Sequence, residues 1–519
     1  MSVFFNEIGP DNPVKKGDAE ALLEKHLGVE LDPKESVDYY ELLAAVHDCA
    51  EHLLSLPDYQ PVSDQQRYPR ENVHRPAEDS KVFGAAWAHK VLIRGAQDTG
   101  NGAARHLAGK SVCIKDCIAV AGVPQFYGSD AFDPWTPVTD ATVVTRVLDA
   151  GADILGTATC EHFCNSTASF TSAQGTVENP HATGYSAGGS TSGGAALVAG
   201  KITDIAIGTD QGGSIRVPSA LCGCVGMKPT YGLVPFTGIT SGDAIDDHAG
   251  PLARSVLDVA KCLDALAGYD GIDDRSVGAG KHNSFGFAEA LVSNSETAKP
   301  LSGIKVGILA EGFNQDIIHQ DVRAVVRAAI EKFEELGATV EEVSVPEHLD
   351  GPAVPRTPRS LSHRVRGGSA PVDHGIFPAT LPLYKNTVIN GLYLADKFPG
   401  LYGRTVNIGR RIRDAYEKVF TGVDVLVLPT TPFVARRHGM RDSPRASFEP
   451  TIGMTTNTAV FNVTGHPAMS IPVGWAPATD DATLSLPVGM QIVGALGQDK
   501  KVLQVGHAWE SSFDWVEKR

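Results

Sequence analysis

From about residue 80 onward the sequence alternates short apolar runs of strand character with runs of helical period, and this alternation constrains the fold most. Strand-like segments fall near 112–120, 153–156 and 202–208, with helix-like segments near 141–150 and 191–200 between and beside them. A second alternating group has strand 304–310, helix 321–336, strand 339–345 and a buried strand at 424–428. A helix between two strands returns the chain to lay them side by side, so this order predicts an α/β architecture with a mixed or parallel sheet. Ahead of it, 19–27 and 37–56 read as two helices, the second carrying Leu42, Leu43, Val46, Leu53 and Leu54 on one stripe. A polar, proline-containing linker over about 58–79 follows. The expected organisation is therefore a helical extension with linker over 1–79 and one large domain over 80–519, and 519 residues at 42% hydrophobic composition can supply such a core. Pro346–Pro378 lacks helical period and is rich in Pro, Arg, Ser and Gly, as a loop or lid would be.

Within this frame, Gly208-Thr-Asp-Gln-Gly-Gly-Ser214-Ile-Arg-Val-Pro218 carries the chemistry. Gly-rich backbone ending in Ser puts unobstructed N–H groups beside a hydroxyl, the layout of a nucleophile with an oxyanion site. A Cβ there would crowd the substrate carbonyl and the positive φ angles of a donor nest. Upstream, Gly188-Gly-Ser190-Thr-Ser192-Gly-Gly194 precedes a helix-like Ala195–Gly200, where Ser190 also has the option of capping that helix. Further upstream, Gly109-Lys-Ser-Val-Cys-Ile-Lys115-Asp116 reads as a strand bearing a lysine among Val112, Ile114, Ile118 and Val120. A free lysine, with a pKa of about 10.4, is protonated at neutral pH and cannot take a serine proton. Burial lowers that value by up to about 3–5 units and makes it a base. Asp116 opposes this unless, as on an extended strand, it points the other way.

These three segments in this order resemble the amidase signature family, hydrolases of amides with a Ser–cis-Ser–Lys triad. The two serines stand 24 positions apart, as in the family. Gly226-Met-Lys-Pro-Thr230 and Val488-Gly-Met-Gln-Ile-Val-Gly494 are also similar to its pattern, and the likeness runs from about residue 80 to the C-terminus, weakest near 350–400. The resemblance implies the amidase signature fold, a mixed β-sheet core flanked by α-helices, with an N-terminal helical extension. It implies Ser214 as nucleophile, Ser190 as bridging serine after a cis peptide, and Lys115 as base. The backbone amides of Gln211, Gly212, Gly213 and Ser214 match the oxyanion hole, with Ser192 and Asp210 in support. Gln211 replaces the threonine of many members, and Asp-Gln-Gly-Gly-Ser is similar to nitrile-pathway amidases of bacteria and fungi. Arg216 is expected as an ion-pair partner.

Other motifs carry less. Gly184-Tyr-Ser186-Ala-Gly188 matches a G-x-S-x-G nucleophile elbow, but Pro180 interrupts the polar stretch where a buried strand must precede it. Gly109-Lys-Ser111 resembles the end of a P-loop, yet Ala104 stands where that motif requires Gly. The eight cysteines form no C-x2-C pair; Cys160-Glu-His162-Phe-Cys164 and Cys222-Gly-Cys224 have the wrong spacing for common zinc sites. No metal and no cofactor are expected. A net charge of −16 argues against nucleic acid or an anionic membrane as partner. A small-molecule amide is the expected substrate, in the cytoplasm, with a homodimer open as an assembly. The alternatives are the catalytic subunit of a glutamine-dependent tRNA amidotransferase, an esterase using Ser186, and a non-catalytic binding protein on the same fold. Ser214→Ala is predicted to stay folded and to lose turnover by about 10⁶, the scale of nucleophile loss in a serine hydrolase, whereas Ser186→Ala retains it. Ammonia release by both variants checks this, and the reverse pattern restores the elbow.

Overall fold

The computed structural model describes residues 8–59, 61, 63–97, 105–292, 298–353, 376–441 and 443–516. The chain divides into two compact units, Met1–Pro61 and Val62–Arg519. In the first, α1 (Asp18–Leu27) and α2 (Ser36–Ser55) pack on each other, and α1 stops at Gly28 in the left-handed region. The stripe expected on α2 is not buried: Leu42 and Leu43 are half-buried, Val46, Leu53 and Leu54 are 40%, 59% and 80% exposed, and the buried residues are Ala44 and Ala45 between them. Ten residues of α1 are too short to cover twenty of α2 within this unit.

The second unit is built on a twelve-stranded sheet. Its first half and a separate hairpin comprise β1 (Glu71–His74), β2 (Trp87–Ile93), β3 (Ser111–Lys115), β4 (Asp153–Ala158), β5 (Glu178–Asn179), β6 (Ala182–Ser186) and β7 (Ile205–Asp210). The rest are β8 (Val225–Lys228), β9 (His248–Ala253), β10 (Lys305–Leu309), β11 (Thr339–Val343), β12 (Val425–Pro429), β13 (Ala468–Ala478) and β14 (Asp481–Gly494). The order is β1-β2-β4-β3-β7-β9-β8-β13-β14-β12-β10-β11, with β5-β6 outside it. Two parallel groups, β4-β3-β7 and β12-β10-β11, flank an antiparallel middle. The sheet is therefore mixed.

The expected boundary at 79 moves to 61, because Glu71–His74 adds an antiparallel edge strand to β2 and Tyr68 is buried. An edge strand binds through its backbone, so polar side chains did not mark it. The strand expected over 112–120 ends at Lys115, where Ile118 N–H turns back to the Lys115 carbonyl. Of Pro346–Pro378, 346–353 forms a 3₁₀ segment and 354–375 lies outside the described residues. The helix Pro382–Lys397 follows, with Leu383, Tyr384, Val388 and Gly391 buried.

Helices α3 (Thr142–Asp149) and α4 (Ser192–Ala199) lie on the crossovers of the first parallel group, and α5 (Arg216–Cys222) follows β7. Apolar Val112, Ile114, Ile154, Ile205 and Ile207 are buried and hold this group together. In a parallel group all carboxyl ends lie along one edge, so the loops after β3, β4 and β7 meet. Among the described residues no helix is long and apolar enough to cross a membrane.

Candidate active site

Lys115 ends β3, and Thr209 and Asp210 end the neighbouring parallel β7. The buried Lys115 Nζ lies 2.8 Å from Ser190 Oγ, 2.8 Å from Thr209 Oγ1 and 3.3 Å from the Thr209 carbonyl. As an amine it has two N–H donors for Thr209 and one lone pair for the Ser190 hydroxyl, which matches these three partners. Burial opposes its ammonium form, but negative charge at Cys164, with Asp210 behind it, favours it and carries the balance above the ordinary value. Burial pushes Cys117 and Cys160 well up, so both are uncharged thiols. Cys164 is different: burial opposes its thiolate, yet contacts from Cys117 and Cys160 and the Lys115 charge draw it well down. The two directions describe one pairing, a Lys115 ammonium beside a Cys164 thiolate, so Lys115 has to lose its proton before it can accept another. The lowering of the Lys115 pKa expected from sequence is therefore reversed, because the charge at Cys164 outweighs burial. Asp116 does turn away, accepting the Phe126 N–H at 3.2 Å, and burial holds its carboxyl well above the usual range.

Ser190 follows a cis Gly189–Ser190 peptide and is fully buried. A Cβ on Gly189 would stand 2.2 Å from the Ala168 carbonyl, so the glycine run is needed for close approach. The helix begins at Ser192 with Thr191 as N-cap and no side-chain cap, so Ser190 is not the cap. Ser192 donates to Glu161 at 2.8 Å, and Glu161 also accepts the Thr171 N–H and hydroxyl at 2.8 and 2.6 Å. Burial pushes Glu161 up to about 7.

The loop after β7 wraps around the Asp210 carboxylate. Gly213 N–H donates to it at 2.6 Å, Gly212 at 3.2 Å and Ile215 at 3.1 Å. The four amides expected to form an oxyanion site therefore divide: Gly212 and Gly213 face Asp210, while those of Gln211 and Ser214 have no protein acceptor among the described residues. Gly213 has φ of 133° and its Cβ would meet Thr458 Oγ1 at 2.5 Å, which accounts for glycine there. Arg216, fully buried, binds Asp210 at 3.0 and 3.1 Å and also Asn462, Gln491 and the Thr458 carbonyl. Burial opposes the Asp210 carboxylate, but the guanidinium and these donors hold its pKa far below the usual range.

Ser214 lines a cavity of about 330 Å³ together with Tyr127, Phe163, Tyr384 and Phe448. The Phe163 and Tyr384 rings stack 4.2 Å apart, with Tyr127 edge-on to Phe163 at 5.5 Å. The Ser214 hydroxyl makes no hydrogen bond to another described residue, and the Ser214 carbonyl accepts the Thr191 N–H at 3.3 Å, joining the two serine loops. Ser186 ends the small β5-β6 hairpin, and its oxygen accepts the Gly188 N–H at 3.0 Å, with no histidine among the described residues bonded to it. Among the described residues no group of three or more His, Cys, Asp or Glu is arranged to hold a metal ion. Glu161, Cys164, Thr209 and Tyr384 were not anticipated as site residues. The signal for the first three is position, since each lies at or just past the carboxyl end of a parallel strand.

A hydrolase-like serine, a buried serine–lysine pair and a mixed sheet define a class, and the chain belongs to the amidase family, whose model matches residues 87–503. It is similar to an enantioselective amidase of Rhodococcus rhodochrous, 39% identical over 424 residues covering 77% of this chain and 79% of that protein. It is also similar to a glutamyl-tRNA(Gln) amidotransferase subunit of Alkalilimnicola ehrlichii, 34% identical over 80% of this chain and 85% of that one. Among solved structures, the peptide amidase of Stenotrophomonas maltophilia matches with a TM-score of 0.63 and 27% identity, over 79% of this chain and 85% of that chain.

Arg216→Met leaves Asp210 buried without its cation and removes the anchor of the loop that carries Ser214. Breaking a buried pair on one side costs about 3–5 kcal/mol, so urea unfolding is expected to show a loss of that size together with a fall in kcat. A change below about 1 kcal/mol, the worth of an exposed pair, contradicts the anchoring role.

Proposed function

We propose that the chain hydrolyses a small carboxamide with an apolar, aromatic acyl group to the acid and ammonia, through an acyl-enzyme on Ser214. The observation that carries this reading is the buried 2.8 Å contact between Lys115 Nζ and Ser190 Oγ beside the cavity that Ser214 lines. Ser214 attacks the carbonyl carbon while its proton passes to Ser190, whose own proton goes to the Lys115 amine. The amides of Gln211 and Ser214, free of protein acceptors, hold the developing oxyanion. Gly213, tied to Asp210, fixes the loop that aims them. Collapse breaks the C–N bond and returns the proton from Lys115 through Ser190 to the leaving nitrogen. Water then enters, gives its proton along the same path and releases the acid. Ser192 and Glu161 hold the Ser190 loop.

The stacked Phe163 and Tyr384 favour an aromatic acyl group, since ring pairs of this kind gain about 0.5–1.5 kcal/mol beyond area burial. The cavity is at the small end of ligand sites, about 300–1,000 Å³. A net charge of −16 supports an enzyme working without nucleic acid or an anionic membrane, and the exposed Leu53 and Leu54 of α2 support a homodimer. A second reading, the catalytic component of a tRNA amidotransferase, draws on the similarity to the Alkalilimnicola ehrlichii protein.

The purified chain alone is expected to release ammonia from aromatic amides faster than from aliphatic ones or glutamine. Activity on glutamine only, and only with a partner, favours the amidotransferase reading. Lys115→Arg is expected to be nearly as damaging as Lys115→Ala, because guanidinium stays protonated and accepts nothing. In the wild type kcat/KM should rise with pH as Lys115 loses its proton; measured from about pH 6 to 10, substantial activity in Lys115→Arg excludes lysine as base.

A further inference from the structure

Three thiols meet behind the proton relay, and nothing in the hydrolytic cycle uses them. Cys117 lies two residues beyond β3 and Cys160 two beyond β4, and the register Lys115↔Ala158 sets these strand ends side by side. Cys164 follows on a tight turn, its N–H bonded to the Glu161 carbonyl at 2.8 Å, with Phe163 and Cys164 both at positive φ, 51° and 53°. Cys164 is among the residues lining the substrate cavity, and its thiol also hydrogen-bonds with the Cys117 and Cys160 thiols and the Ser190 hydroxyl. Cys117 and Cys160 are fully buried; Cys164 is half-buried, and all three are free.

We infer that Cys164 is an oxidation site that switches the enzyme off, with Cys117 as the thiol that closes a disulfide onto it. A small peroxide entering the substrate cavity reaches Cys164 and neither buried thiol. The Cys164 thiolate attacks one peroxide oxygen and the O–O bond breaks. Cys164 becomes a sulfenic acid, and the departing hydroxide takes the Lys115 proton to leave as water. The Cys117 thiol then attacks the sulfenic sulfur, an S–S bond forms, and a second water leaves. Hydrogen peroxide accepts the two electrons given up by the pair of sulfurs. Cys117 Sγ lies 3.6 Å from Thr209 Oγ1, which holds Lys115 Nζ at 2.8 Å. Drawing the two sulfurs to bonding distance moves Cys164 from Ser190 and Cys117 from Thr209, the two hydroxyls that position the base.

The loss of turnover rests on the amidase reading, but the cross-link does not, so mass spectrometry and activity are read separately. The full chain is treated with hydrogen peroxide, remaining thiols are blocked with N-ethylmaleimide, and unreduced peptides are mapped. The expected result is a peptide pair joined through Cys164 and Cys117. Where the untreated chain is active, ammonia release falls at least tenfold and returns with dithiothreitol, and an occupying amide slows the loss. In Cys117→Ser the loss is expected to become irreversible as Cys164 proceeds to sulfinic acid. An unmodified Cys164, a bridge to Cys160 instead, or a cross-linked chain with full activity overturns the inference.

Discussion

The buried pair of Asp210 and Arg216 is the interaction on which the site depends. Two charges removed from water cost several kcal/mol each unless every donor and acceptor is met. Here each guanidinium N–H has a partner: two go to Asp210, and three to the Thr458 carbonyl, Gln491 and Asn462. Asp210 in turn gathers the N–H groups of Gly212, Gly213 and Ile215, so its carboxylate bends the backbone into the loop that presents Ser214. Gln491 lies on β14 and Asn462 just before β13. The pair therefore joins the loop after β7 to strands contributed by the last sixty residues or so of the chain.

The relay proposed for Lys115 and Ser190 depends on a different geometry, the parallel run of β4, β3 and β7. Their carboxyl ends bring Lys115, Thr209 and the Cys160–Cys164 turn to one place, although they are far apart in sequence. Lys115 then sits in a site that opposes its charge by burial and favours it through Cys164. Under the proposed mechanism, that balance ties the base to what happens at one sulfur. A lysine held by Thr209 alone would lack this sensitivity.

Much of this was legible from local sequence. Lys115, Ser190 and Ser214 stand in short glycine-rich or strand-like segments whose chemistry is local, and the strand–helix alternation marked the parallel groups. The rest depends on distant partners. Glu161 looked like part of a poor zinc motif, and only the fold brings Ser192 and Thr171 to its carboxyl. The edge strand Glu71–His74 pairs through its backbone without burying an apolar face, so polar residues concealed it. Tyr384 gains its meaning from stacking on Phe163, more than two hundred residues earlier. The Asp210 contacts that engage Gly212 and Gly213 were equally invisible, because a glycine run shows where amides are exposed and not which acceptor they face.

The central claim is that acyl transfer passes through Ser214. It is tested most directly by mixing the enzyme with an aromatic amide or its activated ester, quenching in acid within the first turnover, and mapping the acyl group by peptide mass spectrometry. The acyl mass is predicted on the peptide carrying Ser214 and nowhere else. An acyl group on Ser186 or on Cys164, or turnover with no covalent species at any quench time, would contradict the account.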